Sequence, residues 1–357
     1  MGFTFRYMDR AVYRIIDANF NRAREGLRMA EEFCRFALDN QQLCSRCKEI
    51  RHKLSTAAAK FGMQQLAAAR DTENDVGCGL TTNHQLHRQN LEDCAAAGLA
   101  RTVEAIRVIS EAISIDDAKL AGEIEKMRYE CYSLEKDIAL FGFTAVRFKN
   151  TRLYCILTVQ EGLDVLKLAE QCAAGGADCL QLRVKNMPDD RFCSIAKEFV
   201  KICQQNDVIS IVNDRADIAI ASGADGVHLG QNDLPADAVR KMQMKPLIIG
   251  VSTHSIDELS KAVQQRPTYV GIGCVFPTQT KQDAEICGLE YVRQANEFLK
   301  DKAIETVALG GITLENIDKV LKAGARRVAV SSCVCSAKNP QEMCRKLKQL
   351  LVAASTV

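Results

Sequence analysis

The chain reads as an α/β protein in which a (β/α)8 TIM barrel follows an all-α helical domain, and three observations predict this. Its 357 residues exceed the usual size of one domain, so two separate cores are expected. From Asp9 to about Leu140 apolar residues recur at helical spacing, without β-branched runs bounded by turns. Beyond Arg152 short apolar runs alternate with amphipathic segments, the order of repeated βα units. The expected domains are residues 1–141 and 150–355, with Gly142 of FGFTAVRFKN at the join.

Composition narrows the function classes. Apolar residues make up 47% and charged residues 26% of the chain, as in ordinary globular proteins rather than disordered ones. A net charge of +2 without blocks of like charge gives no electrostatic support for a nucleic-acid or anionic-membrane partner. No apolar run approaches the roughly 18 residues of a membrane span. The start, MGFTFRYMDRAVYRIID, lacks the charged-then-apolar order of a signal peptide. A cytoplasmic location is therefore expected. The 16 cysteines are scattered rather than spaced as a disulfide framework, so most are expected to be reduced core thiols. Cys44 and Cys47 form a C-x-x-C without a second ligand pair at zinc spacing, and Cys333-Val-Cys335 falls at a predicted strand end.

Eight runs fit strands: LYCILT, CLQLR, ISIVND, GVHLG, LIIGVS, YVGIGCVF, TVALGG and RVAVSS. Helical patterns fill the gaps, for example Leu163 to Ala174 and Ile256 to Gln265. A doubly wound open sheet would alternate in the same way. The count of eight and the polar strand ends favour the barrel, whose active site lies at the C-terminal edge of the strands.

In the second run Gln181, Arg183 and Lys185 fall at i, i+2 and i+4. Strand alternation thus predicts all three in the lumen, with Leu182 and Val184 facing the helices. Cations there require an anionic ligand or a carboxylate network. The third run ends in Asn213-Asp214, and Gln231-Asn232-Asp233 follows the fourth, bringing two carboxylates to one rim. A shared Mg²⁺ suits them, because this ion takes one or two carboxylates and completes its octahedron with water and phosphate. Taken alone, Asp233 could equally cap a helix beginning near Leu234-Pro235. His228, a single histidine in the fourth run, reads as a satisfied core residue unless it points into the lumen.

Ser252-Thr253-His254 follows the fifth run, and Phe276-Pro277-Thr278-Gln279-Thr280-Lys281 follows the sixth. The latter offers two hydroxyls and an ammonium on a loop long enough to close over phosphate. The seventh and eighth runs lead into Gly310-Gly311-Ile312-Thr313 and Ser331-Ser332, where barrels commonly bind phosphate. One anion is expected near Arg183, Lys185, the aspartates and Lys281, and another at Gly311, Ser331 and Ser332. Two phosphorylated small-molecule substrates follow.

The motifs QLRVK (181–185), VND (212–214), DGVHLGQND (225–233), GVS (250–252), FPTQTK (276–281), ALGGI (308–312) and VAVSS (328–332) occur in order. Through them residues 152–352 closely resemble the thiamine-phosphate synthase family, also called thiamine-phosphate pyrophosphorylase. The resemblance implies joining of hydroxymethylpyrimidine diphosphate to a thiazole phosphate, giving thiamine phosphate and pyrophosphate. It assigns Gln181, Leu182, Arg183, Val184, Lys185, Asn213, Ser252 and Lys281 to the pyrimidine diphosphate, with Arg183, Lys185 and Lys281 as the catalytic cations. It assigns Asp214 and Asp233 to Mg²⁺, and Thr278, Gln279, Thr280, Gly311, Ser331 and Ser332 to the thiazole phosphate. Val184 departs from a common family form, QLREK, with little effect expected because it should face away from the lumen. The rival is a thiazole tautomerase-like barrel, which binds the thiazole phosphate without condensing it; the two aspartates and the lysines argue against it. Family barrels often self-associate, so a homo-oligomer is an option, though no interface is identifiable.

In the helical half, Glu25, Arg28 and Glu32 recur as Glu104, Arg107 and Glu111 with the same spacing. A duplicated motif with charges paired across a bundle explains them, and so does a ligand pocket between helices. DANFNRAREGLR (17–28) and RDTENDVG (70–77) resemble a helical domain fused to thiamine-phosphate synthases, a hydroxymethylpyrimidine-phosphate kinase unlike the ribokinase-like enzyme. The resemblance implies ATP as its co-substrate, although no G-x-x-x-x-G-K-[ST] loop is present. Arg22, Arg24, Arg28, Asp71 and Asp75 are the candidate phosphate and metal contacts. The alternative is a non-catalytic dimerisation or regulatory module.

Overall fold

The computed structural model describes residues 9–38, 40–77, 88–243, 245–278 and 285–354. The chain divides into two compact units, Met1–Gly142 and Phe143–Val357.

The first unit is helical: α1 (Arg10–Glu32), α2 (Gln41–Ala59), α3 (Met63–Ala69), α4 (Leu91–Ser114) and α5 (Ala118–Asp137). Helices α2, α4 and α5 start where short polar side chains satisfy free backbone amides. Asn40 accepts from Leu43 N, Asn90 from Asp93 N and Asp117 from Leu120 N. Ile16, Phe20, Ala23, Leu27 and Ala30 bury one stripe of α1, and α4 crosses it at two glycines. A Cβ on Gly26 would lie 2.2 Å from the Gly98 carbonyl oxygen, so the backbones meet without side chains between them. The Thr102 hydroxyl donates within this crossing, to Ala23 O at 3.2 Å or Gly98 O at 2.9 Å.

The repeated charges are not a matched set of cross-bundle pairs. Arg28 pairs along its own helix with Glu31 and Glu32, whereas Arg107 pairs with Glu111 and also reaches Glu125 on α5 at 3.4 Å. Glu25, Arg28, Glu104, Arg107 and Glu111 are exposed. The buried carboxylates of this unit are also held by arginines outside the repeated set. Glu31, only 1% exposed, pairs with Arg51 at 2.9 Å, and Asp17 pairs with Arg70 at 2.8 Å.

In the second unit, α6 (Phe143–Lys149) precedes eight parallel strands that close in sequence order into a barrel, which excludes the open sheet. They are β1 (Leu153–Thr158), β2 (Cys179–Arg183), β3 (Ile209–Asn213), β4 (Gly226–Leu229), β5 (Ile248–Thr253), β6 (Tyr269–Ile272), β7 (Glu305–Leu309) and β8 (Val328–Val330). The helices are α7 (Val165–Ala174), α8 (Asp189–Gln205), α9 (Ala216–Ser222), α10 (Ala236–Met242), α11 (Ile256–Gln264), α12 (Gly288–Leu299), α13 (Ile317–Lys322), α14 (Ser332–Cys335) and α15 (Pro340–Ala353).

Alternation along the strands divides two cores. Leu180, Leu182, Val212, Val227, Val251 and Val270 belong to the outer layer beneath the helices. Tyr154, Cys179, Ile209, Ile211, Ile248, Tyr269, Val307 and Ala329 fill the lumen floor.

Residues 143–149, placed at the domain join from sequence, form a helix of the barrel unit. Phe148 is fully buried and stacks on Tyr269, with centroids 4.2 Å apart. Arg147 pairs with Asp225, whose carboxylate also accepts from the amide and hydroxyl of Ser210. The buried Arg327 joins Glu305 at 2.7 Å and the Lys149 carbonyl at 2.6 Å.

The described cysteines are free thiols. Cys333 and Cys335 stand on the short helix α14 rather than at a strand end, because β8 stops at Val330. No helix among the described residues is long and apolar enough to cross a membrane.

Candidate active site

A cavity of about 370 Å³ opens at the C-terminal ends of the strands. Gln181, Arg183, Asn213, Asp214, Asp233, Ser252, Thr278, Gly311, Ser331 and Ser332 all line it, as does His228. Gln279, Thr280 and Lys281 lie outside the described residues.

The expectation that Lys185 shares the lumen face with Gln181 and Arg183 is corrected. β2 ends at Arg183, so strand alternation does not extend two residues further, and Lys185 is exposed and absent from the cavity lining. Leu182 is buried in the outer core and Val184 packs against it, so neither side chain faces the cavity. Arg183 itself is half-buried, and its guanidinium makes no ion pair among the described residues.

Asp214 stands at φ 63°, a left-handed conformation that is uncommon outside glycine. Two backbone bonds hold it there: its N–H donates to His228 O at 2.8 Å, and Arg215 N–H donates to Asn213 O at 2.7 Å around it. The neighbouring Arg215 is occupied by Asp189 at 2.6 Å and by both oxygens of Asp217. Its hydrogen bonds hold the carboxyls of Asp189 and Asp217 below the usual range. Arg215 is thereby fixed to these two partners.

Asp233 does not cap the following helix. Its Oδ2 accepts from Gly230 N at 2.6 Å, closing the turn after β4, and α10 starts at Ala236 behind Pro235.

At the opposite rim Gly311 adopts φ 63°, and a Cβ there would lie 2.4 Å from the Pro277 carbonyl oxygen. Only glycine lets these loops approach so closely. The Ser331 hydroxyl donates to Ile156 O at 2.9 Å, so its hydrogen is engaged within the barrel. Ser332 is exposed at the cavity edge.

His228 is a buried histidine with both ring nitrogens satisfied, and it also faces the lumen cavity. Its Nδ1 lies 3.0 Å from the Tyr269 hydroxyl and its Nε2 lies 2.8 Å from Ser252 Oγ. Burial pushes its pKa down to about 4, against a raising influence from Asp233, so the ring is neutral near pH 7. Tyr154 and Tyr269, absent from the sequence-derived site, occupy the lumen beneath it. Burial raises both phenols well above the usual tyrosine range. Inward parity was the available signal: each tyrosine is two residues before a cavity-lining position, Ile156 and Gly271.

The helical candidates separate in space. Asp71 lies 3.7 Å from Arg10, and its carbonyl accepts from Arg14. Arg28 is fourteen residues beyond Arg14 on α1, roughly 20 Å along the axis. Arg22 and Arg24 are exposed, and Asp75 accepts from Gly77 N at 2.9 Å. The described contacts therefore do not gather these five residues into one site.

The family described as "Thiamine monophosphate synthase" matches residues 153–334, and the ThiD2 family matches residues 14–137. A thiamine-phosphate synthase of Synechocystis sp. is 39% identical over 338 residues, covering 94% of this chain and 95% of that protein. Another from Rhodopirellula baltica is 38% identical over 350 residues, covering 96% and 93%. Among solved structures, a thiamine phosphate pyrophosphorylase from Pyrococcus furiosus superposes with a TM-score of 0.54 at 34% identity, covering 58% of this chain and 98% of that one.

Proposed function

The chain belongs to the thiamine-phosphate synthase family, an enzyme family of thiamine biosynthesis, and we propose that its cavity joins two phosphorylated substrates. These are 4-amino-2-methyl-5-hydroxymethylpyrimidine diphosphate and 4-methyl-5-(2-phosphooxyethyl)thiazole. The thiazole nitrogen forms a bond to the pyrimidine methylene, the methylene–oxygen bond breaks, and pyrophosphate leaves with that electron pair. The carrying observation is Arg183: a half-buried cation without an ion pair among the described residues, lining the same cavity as two carboxylates.

Charge on the departing diphosphate is the main obstacle, and preorganised cations lower it most effectively. Arg183 serves that role, joined by Lys281 on the strength of the family resemblance. Asn213 and Gln181 orient the pyrimidine, while Gly311 and Ser332 hold the thiazole phosphate, with Thr278 at the same rim. No side-chain nucleophile is required, so the contribution of the protein is orientation and electrostatics. Asp214 and Asp233 fit a hard divalent cation because both offer carboxylate oxygens to one cavity. They would hold Mg²⁺, which when bound neutralises diphosphate charge.

The ThiD2-family match supports a second activity, phosphorylation of hydroxymethylpyrimidine phosphate by ATP in the helical unit. It would form the diphosphate that the barrel consumes. The full-length protein tests both steps. With the two condensation substrates and Mg²⁺, thiamine phosphate and pyrophosphate should form together. Mg²⁺-independent isomerisation of the thiazole without pyrophosphate release would favour the tautomerase reading. With hydroxymethylpyrimidine phosphate, ATP and Mg²⁺ but no thiazole phosphate, ADP should accumulate; folded protein forming none would favour a non-catalytic helical module.

A further inference from the structure

Five polar side chains cross the lumen in one hydrogen-bonded line. Gln181 Nε2 donates to Tyr154 Oη at 2.8 Å, and the Tyr154 and Tyr269 hydroxyls are 2.9 Å apart. Tyr269 Oη meets His228 Nδ1 at 3.0 Å, and His228 Nε2 meets Ser252 Oγ at 2.8 Å. Two strand glycines make room for this line. A Cβ on Gly250 would lie 2.1 Å from Tyr269 Cζ, and one on Gly271 would lie 3.2 Å from His228 Cε1.

Counting hydrogens gives the line a direction. Each phenol has one hydrogen to donate, and a neutral imidazole carries its hydrogen on one nitrogen only. Tyr154 accepts from the Gln181 amide, so its hydrogen goes to the Tyr269 oxygen, a stronger acceptor than the neighbouring Cys179 sulfur. Tyr269, accepting from Tyr154, donates in turn to His228 Nδ1. Nδ1 is then bare, and the ring hydrogen sits on Nε2 and is donated to Ser252 Oγ. The Ser252 hydroxyl makes no other hydrogen bond among the described residues, and Ser252 lines the cavity.

We propose that Tyr154 and Tyr269 are positioning residues that hold His228 as its Nε2–H tautomer and thereby make Ser252 a hydrogen-bond donor toward substrate. This rests on reading the cavity as the condensation site. It deepens that reading by specifying the chemistry opposite Ser252. A lone pair, on a ring nitrogen or a phosphate oxygen, takes the Ser252 hydrogen there, whereas an N–H group would meet only the one lone pair that His228 leaves free. A reversed line would present Ser252 as an acceptor and select the opposite.

Nitrogen NMR of the full-length protein labelled with ¹⁵N-histidine tests the assignment, because the tautomers give distinct couplings to the ring protons. The His228 signals are identified by their loss in His228→Gln. The wild-type protein should show Nε2–H. Tyr269→Phe, which keeps an aromatic ring against Phe148 and removes only the hydroxyl, should show a mixture of tautomers. In the condensation assay that variant should lower kcat/KM about tenfold, the scale of one hydrogen bond. Adding Tyr269→Phe to Ser252→Ala should cost nothing further, since both interrupt the same line. An Nδ1–H tautomer in the wild-type protein, or additive losses in the double variant, would overturn the proposal. The spectrum needs no substrate. Failure of condensation itself would count against the reading of the cavity, and the spectrum alone would then decide the proposal.

Discussion

Arg183 ends its strand half-buried with no ion pair among the described residues, a condition that suits a guanidinium reserved for an anion. Arg183→Ala should lower the condensation rate about 10²- to 10³-fold, as expected for loss of one charge-stabilising donor. Lys281→Ala should do the same, and an unchanged rate at saturating substrate would remove that residue from the mechanism. His228 supplies a prediction about pH. Its folded pKa of about 4 lies below the ordinary 6.5, so between these values the unfolded imidazole binds a proton that the folded one does not. The stabilisation is full above about pH 6.5, declines as pH falls through this window and levels off below about 4, by at most roughly 3 kcal/mol. Urea unfolding should therefore show His228→Gln losing less stability than wild type between pH 7 and pH 4.5. Equal losses would mean that the imidazole is not held neutral.

At the scale of elements, glycines set where helices and strands approach. Gly26→Ala places a methyl against the Gly98 backbone rather than against a flexible side chain, so α1 and α4 must separate. About 1–3 kcal/mol should be lost, read as a lower melting temperature in circular dichroism; an unchanged melt would show that the crossing can relax. β2 illustrates what elements conceal from pattern reading. Alternation holds for Gln181 and Arg183, but nothing in QLRVK marks where hydrogen bonding to β1 and β3 stops, and Lys185 lies beyond that point. Similarly, Asp233 and Pro235 read as a helix start, whereas the carboxylate closes the preceding turn instead.

For the whole molecule, α6 decides where the barrel unit begins. Phe148 fills the lumen floor against Tyr269, and Arg147 anchors to Asp225. A fragment starting at residue 143 should fold and condense the two substrates. One starting at residue 150 should be less stable by about 3–5 kcal/mol, the usual cost of deleting a buried phenylalanine, and should lose activity as Tyr269 shifts. Urea unfolding with a pyrophosphate-release assay measures both effects. Equal stability of the two fragments would show that α6 is dispensable.

Eight apolar runs separated by helical patterns were enough to specify the βα units, because strand and helix periodicity are local properties of the chain. The polar strand ends likewise identified most of the cavity lining, since a barrel presents those ends at one rim. Closure of the sheet, the reach of each strand and the lumen partners depend on contacts between residues distant in sequence. Tyr154 and Tyr269 are 115 positions apart, and each alone looks like an ordinary strand aromatic. His228 looked solitary for the same reason, because its partners come from β5 and β6. Only the closed barrel brings these groups within hydrogen-bond distance, and only there does a solitary histidine become the link between a tyrosine floor and a serine at the cavity.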